Sequence, residues 1–275
     1  MAGSTMDHRG IVTKIMPHVT FRPRSRPFHR YASGEISDPL PPVLFKALPL
    51  KYAERLVERG EMMWSTLTWF QNQEDPARGD VFEATRRSFP PGGQGVTRSE
   101  RHGRPDHEQL HFDGHGTQWR PAQSRHIFIY SMTLDGELNL GDSTTDAMVE
   151  IFDTSVLIQH VRSALHRHRS ARPSTLIHRA VSYYDDVDEL GPIHSLPHLL
   201  AASKHRTHAW QREYRLAFGT RADVFDFDHV EGSLLPGDAV PALRALDSQC
   251  HRMRLRIGEL SDCCRIRTTA GVGAP

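Results

Sequence analysis

The stretch Trp210-Gln211-Arg212-Glu213-Tyr214-Arg215-Leu216-Ala217-Phe218 constrains the fold more than any other part of this chain. Read as a strand, it sorts its side chains by a period of two. One face carries Trp210, Arg212, Tyr214, Leu216 and Phe218, which demand a core. The other carries Gln211, Glu213, Arg215 and Ala217. A charged face of this kind is either the solvated side of an antiparallel sheet or the floor of a cleft. Gln211 and Glu213, two apart, would point the same way and reach one ligand. Both readings stand open on this stretch alone.

The flanking sequence supplies partners for that strand. Val43–Leu48 reads as a strand holding one charge, Lys46. Pro49 then opens a short helix with Leu50, Ala53, Leu56 and Val57 on one face, and Gly60 is its C-cap. Further strands are expected over 62–70, 126–132, 148–153, 176–184, 224–227, 252–260 and 263–267. Asp153 caps a helix running to about Leu165. Two more helices are expected near 196–209 and 240–250. Residues 71–80 are turn-rich, and residues 88–124 read as a long loop. Strands and helices mix without a βαβ rhythm. The expected class is therefore α+β: a single domain over 43–275 with a split, strongly bent mixed or antiparallel sheet. A proline-broken, arginine-rich segment over 1–42 reads as a flexible arm, either a solvated leader or a holder of RNA or an acidic partner.

Composition narrows the function classes. A net charge of +1 over 275 residues gives no global field toward nucleic acid or membrane. Only Lys14, Lys46, Lys51 and Lys204 are lysines among 34 basic residues, so arginine clusters carry reduced weight as signals. The three cysteines, Cys250, Cys263 and Cys264, make no disulfide framework, and a reducing, cytoplasmic compartment is the default. No apolar run reaches transmembrane length, so no membrane partner is expected. Histidine pairs at 166/168, 194/198 and 205/208 lack the third and fourth ligands of a zinc site, and no metal is expected. Asp185-Asp186-x-Asp188 is either a cation loop or a solvated acidic turn. Cys263 and Cys264 read as plain strand residues.

The order of these pieces resembles the DUF2971 family of bacterial proteins. The resemblance rests on Phe45-Lys46, the helix to Gly60, Glu74-Asp75-Pro76 with Glu83 after it, Ile151-Phe152-Asp153, and Trp210-x-x-Glu213-Tyr214-Arg215. It covers roughly residues 43–220. The layout also looks like an ADP-ribosyltransferase core, whose later strand carries a Gln-x-Glu or Glu-x-Glu pair. That likeness implies an NAD-dependent enzyme that cleaves the nicotinamide bond and passes ADP-ribose to a protein or nucleic-acid acceptor, in toxin or phage-defence biology. It implies Glu213 and Gln211 as catalytic residues. Lys46, Ser65, Thr66 and Tyr183 would hold the dinucleotide. The chemistry fits those residue types: bond cleavage builds an oxocarbenium charge that an ionised carboxylate stabilises. Lys46 stands where such enzymes place Arg or His, and would meet a phosphate as a point charge. Two other readings remain: a non-catalytic nucleotide- or protein-binding module on the same fold, and an RNA-modifying enzyme.

Overall fold

The computed structural model describes residues 37–71, 83–89, 94–98, 108–112, 115–137, 145–188, 196–226, 229–236 and 251–268. Residues 1–36 of the arm expected over 1–42, the turn at 74–76 and the helix at 240–250 lie outside the described residues.

In chain order the elements are β1 (Leu44–Leu48), α1 (Leu50–Arg59), β2 (Glu61–Thr66), α2 (Leu67–Gln71), β3 (Arg86–Ser88), β4 (Gln94–Arg98), β5 (Glu108–Phe112), β6 (His115–Pro121) and β7 (Ile127–Thr133). There follow β8 (Ala147–Ile151), α3 (Thr154–Arg167), β9 (Arg172–Ala180), β10 (Ser182–Tyr184), α4 (Pro197–Ala201), β11 (Ser203–His205), a 3-10 turn (Arg206–Gln211), β12 (Glu213–Gly219), β13 (Val230–Pro236), β14 (Arg252–Arg256) and β15 (Cys264–Thr268). The architecture is α+β, with mostly antiparallel sheets. The parallel pair among the described strands is β10 with β11.

The main sheet has eight strands. Strand β7 lies at its centre. β12 pairs with all seven residues of β7 along one edge, from Glu213↔Thr133 to Gly219↔Ile127. The other edge is shared. β2 meets it at Phe128 and Ile129, and β1 meets it at Thr133. The sheet therefore parts between β1 and β2 beside Ser131. β8 and β15 extend it beyond β1, β14 beyond β2, and β9 beyond β12.

Directly paired residues share a face, so the register sorts the side chains. The first face carries Trp64, Phe128, Tyr130, Met132, Tyr214, Leu216, Phe218, Val149, Ile151 and Leu255, and α1 and α3 pack on it through Ala53, Leu56, Leu157, Val161 and Leu165. Trp64 is fully buried, 4.9 Å from Phe218 and 5.6 Å from Tyr130 between ring centroids. The second face carries Ile127, Ile129, Ile177 and Ala217 under Leu67, Ala84, Ala201 and Val224. β12 is consequently buried along its whole length on both faces.

Local signals set the element ends. Asp153 accepts hydrogen bonds from the Ser155 and Val156 N–H groups and caps α3. Gly60 ends α1 in the left-handed region at φ 59°, and its N–H donates to Leu56 O at 2.9 Å. A Cβ there would collide with the Gly258 carbonyl. Gly60→Ala is expected to lower stability by about 1–2 kcal/mol or more, the cost of a left-handed alanine before any clash. Urea denaturation measures it.

Several expectations need correction. Residues 88–124 are not one long loop: β4, β5 and β6 fall within them, and β6 pairs with β3 and β13. Of the strand expected over 224–227, residues 224 and 225 lie in a turn and residue 227 lies outside the described residues; the late strand is β13. The helix expected over 196–209 is the short α4, followed by β11 and the 3-10 turn. The expected strand over 62–70 ends at Thr66, where α2 begins. Order also reaches back before residue 42. Asp38 pairs with Arg179 at 3.0 Å and accepts the Ala180 N–H at 2.9 Å, while its own N–H donates to His178 O. This segment covers the outer edge of β9, which would otherwise expose unpaired main-chain groups.

Candidate functional site

On the second face, where β12 begins, four charged side chains meet in the interior. Arg215 donates to Glu213 through Nε at 2.6 Å and Nη2 at 3.2 Å. It also pairs with Glu83 and donates to Ala201 O at 2.8 Å. Lys204 of β11 lies 2.8 Å from Glu213 and 3.7 Å from Glu83. Glu213 is 5 % exposed, Glu83 1 %, Arg215 2 % and Lys204 8 %. Charges this far from water persist only when paired.

Electrostatics keep Glu213, Arg215 and Lys204 ionised. Burial pushes the Glu213 carboxyl up, but Arg215 and Lys204 together outweigh it and hold the group well below the usual carboxylate range. Burial pulls Arg215 down, yet Glu213 and Glu83 raise it on balance. Lys204 is likewise raised against burial by the same two carboxylates.

The residues expected at a site are brought together only in part. Glu213 lies in the interior, so its strand face is not solvated. Gln211 is not on the strand: it ends the 3-10 turn, and Arg212 bridges to β12 in the left-handed region at φ 41°. The two still converge, because Lys204 donates to Gln211 Oε1 at 2.7 Å while pairing with Glu213. Trp210, expected in the core, is 52 % exposed. Tyr183 of β10 is adjacent, its hydroxyl accepting the Glu213 N–H at 2.8 Å. Burial raises the pKa of that hydroxyl.

The remaining three are elsewhere. Ser65 shares the second face but pairs with Ile129, which pairs with Ala217. It stands two strand spacings from β12, about 10 Å, and does not hold Glu213. Thr66 is on the first face, where its Oγ1 accepts the Trp69 N–H at 3.2 Å and starts α2. Lys46 also projects from the first face. Its ammonium passes over the Tyr130 ring, 5.0 Å from the centroid, and donates to Ser131 O at 2.6 Å. It thus occupies the parting between β1 and β2 and satisfies a carbonyl that neither strand reaches. Burial lowers its pKa to about 8, with Glu213 raising it and Lys204 lowering it. Among the described residues Ser131 O is the one acceptor of the Lys46 ammonium, which can donate three hydrogen bonds.

Lys204 had no role assigned from sequence. A signal was present: it is one of four lysines in an arginine-rich chain, and two of the four come within electrostatic reach of Glu213. The acidic run also resolves. Asp186 pairs with Arg87 at 2.8 Å and Asp185 with Arg206 at 3.1 Å. These carboxylates tie the loop to β3 and the 3-10 turn. Among the described residues no three His, Cys, Asp or Glu side chains gather as a metal site.

No family model, curated protein or solved structure matches this chain.

Proposed function

We propose that this chain is a nucleotide-binding module built on an ADP-ribosyltransferase-like split sheet, with Lys46 meeting a phosphate and without group transfer at Glu213. The observation that carries this is the saturation of Glu213. Three hydrogen-bond donors already fill most of its four acceptor positions, and two cations sit against it. An oxocarbenium-like sugar developing beside Arg215 and Lys204 would be repelled by them as much as Glu213 attracts it. An anion fares better. Glu83 and Glu213 offset Arg215 and Lys204, which leaves the Lys46 charge in excess at the parting of the sheet, with Ser131 O its one acceptor among the described residues.

NAD is the first ligand to test, as the resemblance to transferase cores implies. A ligand that binds only the folded chain raises its melting temperature, by about 2.7 kcal/mol of stability at a hundred times its Kd. NAD and ADP-ribose are expected to stabilise the protein, Lys46→Met to abolish that shift, and no nicotinamide to be released. Each variant's own melt shows whether it is folded. If neither ligand moves the transition at millimolar concentration, the nucleotide reading fails.

A second reading, the NAD-dependent transferase, is favoured by the convergence of Gln211 and Glu213 on Lys204 and by the acceptor position Glu213 still has. Nicotinamide release that disappears in a folded Glu213→Gln variant would establish it over the first.

A further inference from the structure

We propose that the edge strand β14 and the last turn of α3 form a binding surface for the phosphate backbone of a single-stranded nucleic acid. A groove of about 270 Å³ runs between them, lined by Ala164, Arg167, His168, Arg254, Leu255 and Arg256. β14 pairs with β2 alone among the described strands, so this groove follows an open sheet edge. Arg252, Arg254 and Arg256 alternate along β14 and are all exposed. They share the second face, opposite Leu255 and α3, and recur about every 6.8 Å, while Arg254 and Arg256 also border the groove at the open edge. That is a ladder for a repeating anion rather than a cradle for a single one.

Arginine is abundant throughout this chain, so its count alone means little. What distinguishes this surface is how little its charge is used internally. Arg120, Arg215, Arg221 and Arg265 are each matched to a carboxylate. Arg167 and Arg254 have no carboxylate partner among the described residues. Arg256 alone of the four reaches one, Glu61 at 3.1 Å. Arg252 lies over the Trp69 ring, 5.0 Å from its centroid. Guanidinium forks match phosphate oxygens in geometry and are weakly hydrated, which suits this role. A basic groove that tracks the backbone is how sequence-tolerant single-strand binders gather a strand.

The test is fluorescence anisotropy of the full chain with a labelled twelve-nucleotide single strand across a salt series. Three backbone contacts give log K against log salt a slope of roughly −2, and Arg167→Ala or Arg254→Ala should each reduce it by about 0.7. Arg167→Glu combined with Arg254→Glu is expected to weaken binding at least tenfold at low salt. Both positions are exposed, and the thermal melt confirms that the variants fold. Three results overturn the proposal. One is no binding at low salt. Another is binding that ignores both substitutions, which would place the contact elsewhere, such as the basic segment over 21–30. The last is tripolyphosphate competing as well as the unlabelled strand, which would identify a small anion instead.

Discussion

Arg215→Met is expected to cost the folded state about 3–5 kcal/mol, the usual penalty for removing one partner of a buried ion pair. The methionine fills much of the same volume, so the loss is electrostatic. Glu213 and Glu83 would be left in the interior facing Lys204 alone. The pH dependence gives a sharper readout than the midpoint. In the native chain the Glu213 carboxyl is held below its unfolded value, so its contribution is complete above about pH 4.3 and fades as pH falls toward the folded pKa. Without Arg215, burial, the largest single influence, is opposed by Lys204 alone, and the carboxyl pKa is expected to rise above the unfolded value. The folded state then binds more protons than the unfolded one, and stability falls as pH rises from about 4 to 7. Urea denaturation at pH 4.5 and 7 should therefore show stability falling with pH in Arg215→Met and no such fall from this group in the native chain. Equal trends would mean that Arg215 is not what holds Glu213 ionised. Replacing Arg215, Glu213, Glu83 and Lys204 together by apolar residues should recover much of the loss, as buried ionic groups often cost more than they return.

Trp64→Ala is the second large effect, expected at about 3–5 kcal/mol. The indole is fully buried between Phe218 of β12 and Tyr130 of β7. It is also where β2 is joined to the sheet, since β2 meets β7 through Ser65 and Thr66 only. Emptying that space removes contacts from three strands at once. The indole N–H has no hydrogen-bond partner among the described residues. Trp64→Phe should thus be much milder than Trp64→Ala, because it gives up ring area but no bond. A loss for Trp64→Phe as large as for Trp64→Ala would point to an unrecognised polar contact. Chemical denaturation of the two variants side by side decides it.

Much of the fold could be read from local chemistry. Pro49 and Gly60 bracket α1, and Asp153 starts α3, because caps act within a few residues. The alternation over Glu213–Gly219 gave the correct faces of β12. It did not show that the polar face is buried as well, since period two is the same whether the second face meets water or protein. The same limit explains β4, β5 and β6. Their sequence is rich in Gly, His and charge, and what makes them strands is pairing with partners rather than propensity.

The sequence by itself determined which charged groups are present, that one strand carries Glu213 and Arg215 on one face, and where the main helices begin and end. Those follow from neighbours in the chain. Only the tertiary structure decided that Glu83 and Lys204, 130 and 9 positions before Glu213, close around that face, and that Lys46 faces the other way to serve the carbonyl of Ser131. The reason is physical. Pairing register fixes which side chains share a face, and register comes from contacts between strands far apart in the chain.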